Sequence, residues 1–306
     1  MQQLLDMNRD IMFSVHEQNV HGMNGLYAPD MKMLWRGPEE EYEDPLDLQD
    51  DHDVSRKRNY ISVVNKKYHV VQNIEILEPL QEQMINYFDP IVLEDVQIKD
   101  TILKNGRECY SEYIFPKIKH GIETDVGHKT EFGLRFVMKN SFDGKGSVVM
   151  WSGLIDFFCT NGTVTGKYDV TRKRHSRNFN TDGFINAFEV TMNNHKEIVD
   201  GYQRLADKKV KHEQVVNLFN TLTKVKDRLR SGTLSEKLSN QYNVERYTRG
   251  DNAFAVMSAM THYASHGTGA FNLTRTGDQG TLYKRQEKVT NWLRSDTWKE
   301  FVAEAA

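Results

Sequence analysis

The residues best suited to chemistry in this sequence are concentrated in one basic stretch, residues 167–179. It contains five Lys or Arg, one His and two aromatic side chains within thirteen positions. Cationic side chains neutralise phosphates and release counterions, and aromatic rings between them can stack on unpaired bases. The composition therefore predicts binding of a polyanion, most naturally a nucleic acid. The stretch is Lys167-Tyr-Asp-Val-Thr-Arg-Lys-Arg-His-Ser-Arg-Asn-Phe179.

We expect the cations of this stretch to contact phosphates and its rings to offer stacking faces. The candidate contacts are Lys167, Tyr168, Arg172, Lys173, Arg174, His175, Arg177 and Phe179. Earlier basic residues could extend the track if the fold brings them to the same sheet edge, and these are Arg56, Arg58, Lys66 and Lys67. The alternative is an ordinary solvated loop between a sheet and a helix. A further basic run, residues 208–212, is expected on or between the long helices and is interpreted as a solvated face.

Composition narrows the class of protein. The chain has 306 residues, of which 27% are charged, and no apolar run approaches the length of a membrane span. Its N-terminus lacks the basic start and apolar core of a signal peptide. The only cysteines, Cys109 and Cys159, are far apart, which argues against a disulfide framework or a thiolate zinc site. We therefore expect a cytoplasmic protein that does not associate with membranes.

The charge is unevenly distributed along the chain. Residues 39–53 carry nine acidic side chains and no Lys or Arg, whereas the whole chain has a net charge of −3. The rest of the chain is therefore mildly basic. This acidic strip is typical of a solvated, poorly ordered linker. The alternative is an intramolecular lid that competes with a polyanion for the basic surface.

Two motifs that suggest phosphate or metal binding do not meet the requirements of those sites. The segment from Gly162 to Lys167 has three residues between its glycines, and Tyr168 follows the lysine, whereas a P-loop needs four residues and then Ser or Thr. His262 and His266 share a helical face, but a zinc site needs further ligands. We predict no metal and no cofactor.

Carboxylates on neighbouring predicted strands leave a metal-dependent nuclease open as a lower-ranked alternative. These are Glu108, Glu112, Glu131 and Asp156, and no spacing identifies them as a site. Cys159 precedes a turn, but the sequence places no histidine beside it, so we interpret it as a small buried residue.

The hydrophobic pattern predicts an α+β fold: an antiparallel β-sheet built from hairpins, followed by a C-terminal helical region packed on it. Turn signals at Asn105-Gly106, Asp143-Gly144 and Asn161-Gly162 define the hairpins. A further hairpin is expected around residues 65–67, then a helix with Pro79 in its first turn. Helical spacing begins after Asp182, with Thr233 and Asp251 as expected N-caps.

Three consecutive segments follow from this pattern. Residues 1–55 are expected to form an extended, weakly structured arm that carries the acidic strip. Residues 56–275 are expected to form the α+β core, and residues 276–306 a helical tail anchored by Trp292, Trp298 and Phe301.

Several short motifs resemble those of the phage and plasmid proteins grouped as domain of unknown function 932. Residues 68–73 resemble that family's Y-x-x-V-Q-N element, and residues 140–144 with 158–162 resemble its N-S-x-D-G and C-x-N core. Arg174-His175 resembles its R-H pair, and residues 251–263 are similar to the helix that ends its domain. The motifs occur in the family's order and span roughly residues 55–275.

The resemblance implies a mobile-element protein of the bacterial cytoplasm that works in DNA metabolism, and it transfers no established activity. Together with the basic stretch, it favours a non-enzymatic protein that binds single-stranded DNA. We expect it to act as a homo-oligomer in annealing, recombination or protection of phage or plasmid DNA. The alternative is an interaction module whose acidic strip mimics nucleic acid and engages a protein partner.

Deleting residues 39–53 separates these two hypotheses. If the strip is a lid, the deletion removes a competitor of the polyanion, so affinity for a labelled oligonucleotide should rise. If the strip is the binding element, the deletion should abolish capture of the partner and leave oligonucleotide affinity unchanged. Fluorescence anisotropy of the labelled oligonucleotide measures the first outcome, and an unchanged affinity contradicts the lid.

Overall fold

The structure is a computed structural model that describes residues 10–21, 27–37, 60–156, 165–224, 232–267 and 278–305. Its strands are β1 (Val15–His21), β2 (Tyr27–Arg36), β3 (Tyr60–Asn65), β4 (Gln97–Leu103), β5 (Glu108–Glu123), β6 (Lys129–Ser141), β7 (Val148–Asp156) and β8 (Thr165–Lys173). Its helices are α1 (Asn73–Tyr87), α2 (Pro90–Leu93), α3 (Asp182–Asp207), α4 (His212–Thr223), α5 (Leu234–Arg249), α6 (Ala253–His266), α7 (Asp278–Arg294) and α8 (Asp296–Glu304). The predicted α+β class is confirmed.

The chain divides into two compact units that alternate along the sequence. Unit 1 comprises Met1–Tyr113, Phe136–Trp151 and Val170–Glu189. Unit 2 comprises Ile114–Arg135, Ser152–Asp169 and Val190–Ala306. The sequence predicts three consecutive segments instead, and their bounds stay a prediction.

A three-stranded antiparallel sheet has the order β1-β2-β3, and its first two strands lie in the region expected to be a weakly structured arm. On the inward face of β2, Lys32 occupies a position where an apolar residue is usual, and its charge is paired with the exposed carboxylate of Glu17. Lys32 is buried in β2 and donates to Glu17 of β1 at 2.6 Å, and Leu34, two residues on, is fully buried. Residues 15–21 and 27–36 of the expected extended arm therefore form paired strands, and the acidic strip lies outside the described residues.

The hairpin expected around residues 65–67 is also wrong, because β3 pairs with β2 instead of with residues 68–71. Asn65 accepts from the Lys67 amide at 2.9 Å, which turns the chain directly into the approach to α1. Helix α1 then begins at Asn73, six residues before Pro79, because Gln72 and Glu75 form a capping box. Pro79 therefore lies inside the helix and not in its first turn.

The second sheet has five strands in the order β4-β5-β6-β7-β8. The turn between β4 and β5 contains Asn105 and Gly106 at positive φ angles of 57° and 92°, and Gly144 follows β6 at 73°. The hairpins predicted at Asn105-Gly106 and Asp143-Gly144 are confirmed, and Asn105, Gly106 and Gly144 adopt the left-handed backbone that tight turns need. Asn161-Gly162 lies outside the described residues.

Within unit 2 the helices pack on the strands, as predicted. Phe132 of β6 lies 4.9 Å from Tyr202 of α3 and 6.1 Å from Phe254 of α6, measured between ring centroids. Thr233 caps α5 as expected. Asp251 does not cap α6, because it accepts from the Tyr242 hydroxyl at 2.7 Å, and Asn252 is the cap instead.

The helical tail is anchored by the aromatic residues that the sequence indicates. Trp292, Trp298 and Phe301 are buried, and the Trp298 and Phe301 rings stack at 5.5 Å. None of the helices in the described ranges has both the length and the apolar character needed to cross a membrane.

A buried arginine at the end of α5 also joins this helix to β6 and α6. Arg249 is fully buried, donates to Glu245 at 3.0 Å and to Thr130 of β6 at 2.8 Å, and lies over the Phe254 ring. A guanidinium buried in this way is stable only because its donors are satisfied.

A buried amide network connects helix α1 with strand β6 in unit 1. The Asn140 side chain donates to the Val71 carbonyl and to the Asn73 side chain, each at 2.9 Å. Asn73 in turn donates to the Ile11 carbonyl at 2.6 Å. Beside it, Gln72 exchanges two hydrogen bonds with the Val15 backbone, at 2.8 and 2.9 Å. These bonds join the N-terminal sheet, α1 and β6.

Replacing Asn140 with Ala should lower the free energy of unfolding by about 1–3 kcal/mol, because it leaves the Val71 carbonyl and the Asn73 side chain buried without their donor. Urea unfolding followed by circular dichroism measures the change. Asn193→Ala is the matched control, since Asn193 is exposed on α3 and its loss should cost no more than about 0.5 kcal/mol. Equal stability of the two variants would contradict the network's role.

Candidate nucleic-acid interface

The predicted basic stretch lies at the end of β8 and in the irregular segment 174–181 that leads to α3. Strand β8 is the last strand of the five-stranded sheet. Arg172, Arg174 and Arg177 are exposed, and Lys173 and Phe179 are half-buried. The remaining candidates are less fully described. Lys167 and Tyr168 are placed in β8 by their backbone only, and Arg56 and Arg58 lie outside the described residues.

A pair of stacked rings fixes the middle of this segment. The rings of Tyr68 and His175 stack with centroids 4.8 Å apart and planes inclined by 26°. The Tyr68 hydroxyl donates to the Ser141 carbonyl at 2.7 Å. Burial, followed by the charges of Asp143 and Glu17, raises the pKa of Tyr68, so the hydroxyl stays a donor. The ring pair thus joins the segment after β8 to the turn after β3 and to the end of β6.

His175 is a neutral ring at neutral pH. Burial lowers its pKa from 6.5 to about 4, and the His69 backbone and the Asp143 carboxylate only partly offset this effect. His175 therefore carries no charge towards a phosphate near pH 7. Its contact with Tyr68 is structural and lies between the two exposed arginines, Arg174 and Arg177.

The stacked rings bring the second basic group to the same part of unit 1. Lys66 and Lys67 are exposed in the turn directly before Tyr68. The Tyr68 amide donates to the Asn65 carbonyl at 2.9 Å, and the Lys66 amide donates to the Asp30 carbonyl at 2.7 Å. Four exposed cations, Lys66, Lys67, Arg174 and Arg177, therefore lie in segments joined through one ring contact.

Further contacts order the rest of the segment. The Lys173 ammonium donates to the Asn180 side chain at 3.1 Å. A Cβ atom at Gly183 would approach the Lys173 side chain to 2.9 Å, so glycine allows this lysine to lie against the start of α3. The Phe179 ring lies 6.2 Å from that of Phe184, so one side of it packs against the helix. The segment is a built part of unit 1 with exposed arginines.

One carboxylate lies beside the ring pair. Asp143 accepts from the Gly146 and Lys145 amides at 2.8 and 2.9 Å and from the Ser141 hydroxyl at 2.8 Å. Burial raises the pKa of Asp143, but these hydrogen bonds outweigh it, and the net shift is downward. The charge of this carboxylate is thus used to hold the turn after β6.

The second basic run, residues 208–212, belongs to unit 2 and is largely engaged within it. Lys209 forms an ion pair with Asp125, and the Lys208 ammonium donates to the Ala305 carbonyl at 3.3 Å. Residues 208–211 lie between α3 and α4, and only His212 belongs to a helix, so the run is mainly a connection between the two long helices.

The alternative chemistries have little support in the described part of the chain. There, no group of three or more His, Cys, Asp or Glu could hold a metal ion. Glu108 forms an ion pair with Lys104 at 2.7 Å and Glu131 with Lys119 at 3.0 Å, and Glu112 is buried. His262 and His266 stack on each other at 4.4 Å. The side chain of Asp156 and all of Cys159 lie outside the described residues.

The backbone position of Lys167 and the burial of Cys109 also argue against a P-loop and against nucleophilic catalysis. Lys167 lies in a strand, whereas the lysine of a P-loop begins a helix. Burial raises the pKa of the Cys109 thiol to about 12, which leaves it protonated and unreactive. Neither residue is arranged for phosphate binding of the P-loop kind or for nucleophilic catalysis.

The short motifs of the sequence meet around the ring pair. Tyr68 and Asn73 come from one motif, Asn140 and Ser141 from a second, and His175 from a third. The model of the family described as Domain of unknown function (DUF932) matches residues 60–293. The chain belongs to the DUF932 family. No curated protein and no solved structure matches the chain. The DUF932 region thus contains the ring pair, the Asn73–Asn140 hydrogen bond and the exposed cations, whereas β1 and β2 precede it.

Sequence reasoning did not anticipate the contact between Tyr68 and His175. Both residues stand in the motifs that carry the family resemblance, and this was the one available signal of their importance. A stacking contact across more than a hundred residues of sequence leaves no periodic pattern, so the motifs marked the residues without indicating what they do.

Protonation of His175 should destabilise the folded protein in acid. Because its folded-state pKa of about 4 lies below its unfolded value, the unfolded chain binds the proton first as the pH falls. The free energy of unfolding should therefore decrease by up to about 3 kcal/mol between roughly pH 6.5 and 4. His175→Phe keeps a stacked ring that does not titrate, so urea unfolding of this variant should show a shallower dependence on pH.

The matched control is His212→Gln, which alters an exposed histidine and should keep the wild-type dependence on pH. Carboxylates titrate in the same range in all three proteins. Only the difference between their pH profiles of unfolding free energy therefore reports on His175. Identical pH profiles for wild type and His175→Phe would show that His175 titrates normally.

Proposed function

We propose that this protein binds single-stranded nucleic acid, with DNA favoured, through unit 1. The observation that carries the proposal is the ring contact between Tyr68 and His175, which joins the segments bearing Lys66, Lys67, Arg174 and Arg177. Four ordered and exposed cationic side chains form a surface suited to a flexible chain of phosphates.

Arginine and lysine make different contributions to this surface. Arg174 and Arg177 present planar guanidinium groups that can hold a phosphate with two hydrogen bonds. Lys66 and Lys67 are compact charges on a turn and supply electrostatic attraction with little geometric demand. Phe179, half-buried against Phe184, offers the remaining face of its ring to a base.

We expect the surface to bind single strands in preference to duplex, because it combines positive charge for the phosphate backbone with an aromatic face for a base. A stacked base must leave its partner strand, so a ring beside the phosphate track favours unpaired nucleotides. The four cations lie in turns and irregular segments, not on a helix or β-ribbon that could enter a major groove. Binding of this kind depends on salt and is tolerant of sequence.

The wider role follows from the same proposal. A protein that covers single strands without cutting them suits annealing, recombination or protection of phage or plasmid DNA in a bacterial cytoplasm. Several copies along one strand would act together, which corresponds to the expected homo-oligomer. In this reading the protein is not an enzyme.

Fluorescence anisotropy of a labelled oligonucleotide, measured against salt, tests the proposal. The logarithm of affinity should fall with the logarithm of salt at a slope of roughly −0.7 for each neutralised phosphate. Four contacts give a loss of about 50-fold between ~50 and ~200 mM salt. Replacing Lys66, Lys67, Arg174 and Arg177 with Gln should make the slope shallower by about 0.7 per contact removed.

The control variant changes four exposed lysines elsewhere and loses the same net charge. These residues are Lys99, Lys196, Lys211 and Lys237. It should keep most of the wild-type slope, because the removed charges lie outside the proposed track. Absence of binding at ~50 mM salt, or equal losses in the two variants, would overturn the proposal. An unlabelled RNA competitor of the same length then compares RNA with DNA.

A further inference from the structure

A groove of about 1040 Å³ lies within unit 2, bordered by α3, α6, α7 and α8. This volume corresponds to a site for an organic molecule of moderate size. Its floor is apolar and is formed by Ile198, Leu205, Met257, Leu293, Trp298 and Val302. Trp298 and Met257 are otherwise buried, so their contact with the groove offers a firm apolar surface.

The groove carries an excess of positive charge. Among the described residues, four cations border it, Arg204, Lys208, Arg294 and Lys299, against one carboxylate, Glu197. Lys299 is engaged with Asp296 at 2.8 Å and Lys208 with the Ala305 carbonyl at 3.3 Å. Arg204 and Arg294 are exposed, and neither forms an ion pair with another described residue. Two guanidinium groups are therefore left to hold an anion at the border of an apolar surface.

Gly201 provides an independent observation. It lies in the interior of the 26-residue helix α3, where glycine weakens the helix relative to alanine. The nearest atom to a Cβ built there belongs to the flexible Arg204 side chain, 3.6 Å away, which is ordinary van der Waals contact. Packing of the described residues therefore does not require glycine at this position. Gly201 borders the groove, and the missing side chain leaves space in it.

We propose that this groove binds a small amphiphilic organic anion. Its apolar body lies on Trp298 and Met257 beside Gly201, and its acidic group, a carboxylate, sulfonate or phosphate, binds Arg204 and Arg294. An excess of cations over an apolar floor selects against neutral molecules of the same shape. The site is separate from the proposed nucleic-acid surface, which lies in unit 1.

The probe for this site is 8-anilinonaphthalene-1-sulfonate, an aromatic sulfonate whose fluorescence rises in apolar surroundings. Titration of the folded protein should saturate at one probe per chain. N-phenyl-1-naphthylamine has a similar ring system without the sulfonate and should bind more weakly. The double variant Arg204→Gln, Arg294→Gln should bind the sulfonate roughly tenfold more weakly or worse, because charged hydrogen bonds are lost. The double control Lys211→Gln, Lys237→Gln should bind it as wild type does.

Substitution of Gly201 tests the need for space in the groove without changing the charge of Arg204 and Arg294. Gly201→Leu should abolish saturable binding of the sulfonate, because the side chain fills the groove. Gly201→Ala tests the helix alone and should raise the midpoint of thermal unfolding by about 2 °C. A folded Gly201→Leu variant that binds the sulfonate as tightly as wild type overturns the proposal.

Two other results would also overturn it. Equal affinity for the neutral amine shows that the groove does not select an anion. A parallel loss of oligonucleotide binding in the Arg204→Gln, Arg294→Gln variant shows that the groove belongs to a nucleic-acid surface instead. Failure of the unit 1 proposal leaves these measurements unaffected, because they do not use an oligonucleotide to detect the groove.

Discussion

The hydrogen bond between the side chains of Asn73 and Asn140 is the constraint on which the candidate interface depends. It joins the first residue of α1 to β6, and thereby sets the path of the five residues that precede the helix. Tyr68 stands at the start of that path, with its hydroxyl on the Ser141 carbonyl. Only in that position can its ring support His175 and, through it, the exposed arginines. A polar pair in the interior thus determines the placement of charges on the surface.

Local chemistry explains why much of the fold could be predicted from the sequence. Asn105-Gly106 and Asp143-Gly144 mark turns because the positive φ angles of Asn105, Gly106 and Gly144 are costly for most other residues. The helices after Asp182 were predictable because a helix that buries one side repeats its apolar residues every three to four positions. The end of α6 at Gly267 follows from the same reasoning, since glycine there adopts a positive φ of 72°.

The parts of the fold and of the candidate site that the sequence did not predict depend on contacts between residues that are distant in the chain. Lys32 occupies a buried position of β2, so the alternation that identifies a strand was hidden by a charge whose partner, Glu17, is on another strand. Pro79 suggested a helix start, whereas the Gln72 and Glu75 side chains set it earlier. The basic composition of residues 167–179 was visible from the start. Its ordering by Tyr68 was not, because that contact exists only once three distant segments have met.

The alternation of the two units has a consequence for synthesis of the chain. The polypeptide passes between the units five times, and the last segment of unit 1 ends at Glu189. Neither unit is a contiguous stretch, so a ribosome cannot complete one before it has begun the other. Folding must wait for contacts between residues far apart in the sequence, a property that slows folding. A fragment trimmed to residues 60–293 would also remove β1, β2 and α8, and would leave β3 without the strand it pairs with.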